Sequence, residues 1–102
     1  MVPIRSFRAI CRSYSLTSSQ TDALQSLVDQ RRGVIHPYWI QLALYVPYDF
    51  AKRLYDELIE NEWAVPDGVE IDGAAYESKL TDSEIEIIAL IELQTSSYFS
   101  SH

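Results

Sequence analysis

Apolar residues recur along this chain at helical spacing in five stretches, with polar or proline punctuation between them. Ile4, Phe7, Ile10 and Cys11 stand at i, i+3, i+6 and i+7, which predicts one face of a first amphipathic segment. After the polar break LTSS, Ala23, Leu24, Leu27 and Val28 predict a second helix, and Ser19 with Asp22 reads as a capping box at its start. That helix is expected to end at Gly33, behind Arg31 and Arg32, where positive charge suits a helix C-terminus. Val34 and Ile35 make a short extended step.

Pro37, in a first-turn position, opens a third helix carrying Trp39, Ile40, Ala43 and Leu44. Val46-Pro47 breaks it, because proline disfavours helix at the residue before it. Pro47 then starts a fourth, with Phe50, Ala51, Leu54, Tyr55 and Leu58 in register. Residues 63–65 and 69–71, either side of Pro66-Asp67-Gly68, read as the two strands of a hairpin. Residues 74–80 suggest no more than a short helical turn. Thr81 and Glu84 predict a second capping box, opening a helix from Asp82 to about Gln94, before a tail, TSSYFSSH, expected to fray. Between Ile85 and Leu93 only Glu86 and Glu92 are not apolar, so this helix is either sandwiched inside the domain or shared with a partner. The shared reading makes Ile85, Ile88, Leu90 and Ile91 the contacts of a homodimer.

The order helix, short strand, two helices, hairpin is that of a winged helix. The expected fold is therefore mainly α: a winged helix-turn-helix with a small β-hairpin wing and an additional hydrophobic C-terminal helix. Its parts are a basic amphipathic segment (1–16), the winged-helix core (17–73), a helical extension (74–95) and the tail (96–102). Within the core run Ile40-Gln41, Leu44, Val46-Pro47-Tyr48, Ala51, Leu54, Asp56-Glu57-Leu58, Val65 and Pro66-Asp67-Gly68. Over residues 39–68 this resembles the C-terminal winged-helix domain of bacterial chromosome-segregation DNA translocases of the FtsK/SpoIIIE type. The matching positions are mostly those any winged helix needs for packing. The resemblance implies that the helix opening at Tyr48 is the recognition helix. The family has basic residues where this chain has Leu42 and Ala43, and a polar then a basic residue where it has Asp49 and Phe50.

Charge changes the functional picture. The chain of 102 residues carries a net −7, unevenly spread: residues 1–20 hold Arg5, Arg8 and Arg12 and no acid, whereas residues 49–102 hold 13 acids against Lys52, Arg53 and Lys79. A phosphate backbone repels such a C-terminal half and a basic protein groove attracts it. The expected function is thus a non-enzymatic module that binds a protein partner through Tyr45, Tyr48, Asp49, Phe50, Lys52 and Arg53. An adaptor subunit of a nucleic-acid-handling complex would fit, as would a small acidic inhibitor of a nucleic-acid-binding protein. The alternative is a dimeric DNA-binding regulator in which Arg5, Arg8, Arg12, Arg31 and Arg32 join Lys52 and Arg53 in one positive stripe. Against that stripe, Lys52 and Arg53 stand four residues before Asp56 and Glu57, at the spacing of ordinary helix ion pairs.

Catalytic chemistry finds no constellation. His36 and His102, the only histidines, lack Cys, Asp or a second His at ligand spacing, and three glycines cannot build a phosphate loop, so no cofactor or metal is expected. The single Cys11 makes no internal disulfide, which fits a reducing compartment and a cytoplasmic protein. The Arg- and Ser-rich start, MVPIRSFRAICRSYSLTSS, resembles a mitochondrial transit peptide and gives the matrix as the alternative. No apolar run is long enough for a membrane span.

Overall fold

A computed structural model describes residues 4–66 and 79–100, with side chains to residue 94. Among these residues the protein is mainly helical: α1 (Phe7–Ser13), α2 (Ser18–Gln30), α3 (Pro37–Leu44), α4 (Tyr48–Glu60) and α5 (Asp82–Ser100), with strands β1 (Val34–Ile35) and β2 (Val65–Pro66). The predicted second hairpin strand, 69–71, and the acidic positions Asp67, Glu70 and Asp72 lie outside the described residues.

Helices α1, α2, α3 and α5 each start on a local side-chain cap. Ser6 Oγ accepts from Ala9 N at 3.1 Å to open α1. For α2 the capping box is built by Thr17 and Gln20, not by Ser19 and Asp22: Gln20 N donates to Thr17 Oγ1 at 3.1 Å and Thr17 N to Gln20 Oε1 at 3.0 Å. Thr17, Ser18 and Ser19 are all competent caps, and the earlier one wins because it lets the helix gain two further residues. His36 Nδ1 accepts from Tyr38 N to open α3, with Pro37 in the first turn. The Thr81–Glu84 box forms as expected, at 3.2 and 2.9 Å. α5 runs to Ser100, past the expected end near Gln94, in a stretch free of glycine and proline.

Helices α1, α2 and α4 end alike. A residue in the left-handed region (Ser15, Arg32 and Glu62, with φ of 56°, 53° and 63°) turns the chain. The next amide then donates to the carbonyl five residues back: Leu16 to Cys11 at 3.1 Å, Gly33 to Val28 and Trp63 to Leu58 both at 2.8 Å. This is the Schellman closure, here made without glycine at the left-handed position. At the end of α2, Gly33 follows Arg32 in the left-handed region, with φ 81°, so both residues turn the chain.

One core gathers α1 to α4, Ile35 of β1 and Ala64 just before β2, whose own two residues are exposed. Ile10, Leu24, Ile35, Ile40, Leu54 and Leu58 are wholly buried in it, each worth about 1.5–3 kcal/mol relative to exposure. Phe7, Ile10 and Cys11 face inward as the periodicity predicts; Ile4 precedes the helix and is exposed. A smaller cluster around Tyr38 and Leu80 receives Ile85 and Ile88 of α5, which packs on α3.

The two strands pair in parallel, Val34 with Val65 and Ile35 with Pro66. The expected strand 63–65 is shortened because Trp63 is still closing α4, so pairing begins at Val65, whose amide donates to Gly33 O at 2.7 Å. The expected hairpin partner of β2 falls outside the described residues; its described partner is β1.

Candidate recognition surface

Helices α3 and α4 are joined by Tyr45, Val46 and Pro47. Tyr45 takes φ 56° and ψ 53°, and its amide donates to Gln41 O at 2.7 Å. Val46 is buried and Tyr45 points out, 67% exposed. Gln41, wholly buried, braces this turn from inside: its Nε2 donates to Val46 O at 3.2 Å.

Pro47 occupies the N-cap of α4 and offers no side-chain acceptor to the first turn. Glu92 of α5 supplies one from 44 residues away. Its Oε1 accepts from Tyr48 N at 2.7 Å and from Gln41 Nε2 at 2.6 Å. A carboxylate at a helix N-terminus also lies favourably in the field of the aligned peptide dipoles. The fifth helix is thereby locked to the start of the fourth.

Of the six side chains expected to meet a partner, the structure exposes Tyr45, Asp49, Lys52 and Arg53 and draws in the other two. Tyr48 is half-buried beside Tyr38, ring centroids 5.8 Å apart at 66°. Phe50 is half-buried against Tyr14 at 5.7 Å and 84°, so it fastens α1 to α4. The outer face of α4 is therefore Asp49, Lys52, Arg53, Asp56 and Glu60. Lys52 and Asp56 pair at 2.7 Å, and this hydrogen bond raises the Lys52 pKa, against partial burial. Arg53 does not pair with Glu57, which is taken by Arg5. Arg53 forms no ion pair among the described residues.

The remaining arginines lie in separate surroundings. Arg5 runs along the end of α4: its amide donates to Asn61 Oδ1 at 2.8 Å and its carbonyl accepts from Trp63 Nε1 at 2.7 Å. Arg8 and Arg12 border a cleft of about 350 Å³ between α1 and α2, beside Thr21 and Asp22. Arg31 stacks over Trp39 of α3, 3.5 Å from the ring centroid. Arg32 is one of the two left-handed residues that close α2.

The four apolar residues nominated for self-association divide in the same way. Ile91 is buried and Ile85 and Ile88 pack on the Tyr38 cluster, whereas Leu90 is 51% exposed. Leu93, which the sequence reading did not nominate, is the more exposed neighbour at 61%. Gln41 and Glu92 were also missed as positioning residues. The available signal was their polarity in otherwise apolar helical stretches.

Burial pushes the Cys11 thiol above its ordinary value of 9.0, opposed by a hydrogen bond with Thr21, so the nearby arginines do not make it a nucleophile. Among the described residues no three His, Cys, Asp or Glu side chains are grouped to hold a metal, and no helix is long and apolar enough to cross a membrane. Compared with known proteins, the chain matches no family model, no curated protein and no solved structure.

Proposed function

We propose that this protein is a non-enzymatic winged-helix module that binds a protein partner through the outer face of α4 and the Tyr45 turn. The order α2, β1, α3, α4, β2 supports the winged-helix reading. The observation that carries the choice of partner is the charge of the α4 face. Asp49, Asp56 and Glu60 outnumber Lys52 and Arg53, and Lys52 is already paired. A recognition helix for DNA needs cations free to replace counterions on phosphates, and this face offers Arg53. Exposed Tyr45 beside it is the kind of side chain that anchors protein interfaces. The partner is either a complex in which this chain is an adaptor or a basic nucleic-acid-binding groove that it blocks.

The alternative, a dimeric DNA-binding regulator, draws on Arg53, which lacks an acidic partner among the described residues. Anisotropy of a labelled random duplex, titrated with the full chain at low and physiological salt, separates the two. No binding at low salt is the expected result. Tight binding that weakens steeply with salt and drops for Arg53→Ala would overturn the protein-partner reading.

A further inference from the structure

A cavity of about 260 Å³ opens where α3, the start of α4 and α5 meet. That is just under the roughly 300–1,000 Å³ of typical small-molecule sites, so it suits a small ligand. Its walls are of two kinds. Ile85, Ile88 and Ala89 of α5 form an apolar side. One turn further along the same helix stands Glu92, and opposite α5 stand the rings of Tyr38 and Tyr48 and the side chain of Gln41.

The described lining carries no positive charge. Glu92 accepts two hydrogen bonds through Oε1 but forms no ion pair among the described residues, and no described lysine or arginine borders the cavity. Gln41 has spent its amide nitrogen on Val46 and Glu92. Its Oε1 is buried and meets no donor among the described residues. A buried acceptor without a donor is costly, as is a half-buried carboxylate without a cation. Aromatic faces add an attraction for positive charge. A group that donates hydrogen bonds and carries a positive charge answers the carboxylate and the rings, while Gln41 Oε1 is closed off from the cavity's solvent.

We propose that the α3–α4–α5 junction binds a small amine, with its ammonium group at Glu92 and the tyrosine rings and its apolar body along Ile85 and Ile88. The site shares no residue with the outer face of α4, since Asp49, Lys52 and Arg53 do not line it. Because Glu92 also caps α4, an occupant there bears on how firmly α5 holds the recognition helix.

The test is a proton–nitrogen NMR titration of the full chain with three probes of one shape: 2-phenylethylammonium, 2-phenylethanol and phenylacetate. Saturable shifts of the Tyr48 amide and the Gln41 side-chain amide are expected with the ammonium, about tenfold tighter than with the alcohol, and none with the carboxylate. Glu92→Gln should erase that preference, and Ile88→Trp, which fills the cavity, should abolish the shifts while the Leu24 and Leu54 amides keep their positions. No saturable shift at the two reporters would overturn the proposal, as would equal affinity for ammonium and alcohol. The wild-type comparison of probes decides this even if a variant fails to fold.

Discussion

Glu92 ties together three elements through a single oxygen, and the cost of losing it follows from what it leaves behind. Truncation in Glu92→Ala strands the Tyr48 amide, leaves Gln41 Nε2 with Val46 O but one N–H unused, and removes a negative charge from the start of α4. Each deserted buried donor costs about 1–3 kcal/mol, and the charge about 0.3–1 kcal/mol more, discounted because Glu92 is only half-buried. Glu92→Gln keeps an acceptor and loses only the charge. Urea unfolding should therefore place Glu92→Ala at least about 1 kcal/mol below Glu92→Gln; equal midpoints would mean that the carboxylate is not the cap of α4. Cys11 makes a different kind of prediction. Its thiol ionises less readily when folded than when unfolded, so the stability it contributes is intact below pH 9 and is lost as pH rises from there through its higher folded value. Tyr14, raised by burial and by the charge of Glu57, acts in the same direction from pH 10 upward. The slope of stability against pH between 8.5 and 10 should be shallower in Cys11→Ala than in the natural chain.

At the scale of the element, the helices were legible because their signals are local. Apolar spacing predicted the buried faces of α1 to α4, and Pro37, Pro47 and the Thr81–Glu84 box marked three starts. The error at α2 came from a local tie: Thr17, Ser18 and Ser19 offer the same hydroxyl, and the sequence does not say which one the chain's entry angle favours. The structure breaks the tie through Gln20, whose side chain closes the box and whose Nε2 also reaches Leu44 O at 3.4 Å. Thr17→Ala should thus cost about 1 kcal/mol by chemical denaturation, while Ser19→Ala, on the exposed face of the first turn, should stay within about 0.5 kcal/mol. The site was less legible than the helices because its defining contacts are remote in sequence. Nothing near Pro47 announces that its missing cap comes from residue 92, and nothing near Val65 announces a parallel partner at Val34. Tyr48 and Phe50 read as surface anchors by position, yet Tyr38 and Tyr14 pull them in. The pairing of Arg53 with Glu57 failed because a more distant cation, Arg5, claimed the carboxylate.

Across the whole molecule, the question is what α5 is for. Its run of apolar residues left two readings open, an internal brace or a dimer seam, and the packing splits the helix between them. One side, with Ile85, Ile88, Ile91 and Glu92, closes the domain over α3 and the start of α4. The other presents Leu90 and Leu93 with Glu86, and two leucines are a small patch beside what a stable dimer buries. A charge placed on each side should therefore act on different properties. Ile88→Glu puts a carboxylate against Tyr38 and near Glu92, and should lower the stability of the single chain by at least about 2 kcal/mol. Leu90→Glu, on the exposed side, should leave the urea midpoint within about 0.5 kcal/mol of the natural chain. Sedimentation velocity on both variants completes the comparison. If α5 is chiefly a brace, the natural chain and Leu90→Glu sediment alike. A natural chain that sediments as a dimer and is made monomeric by Leu90→Glu would transfer the weight of the helix to its outer face.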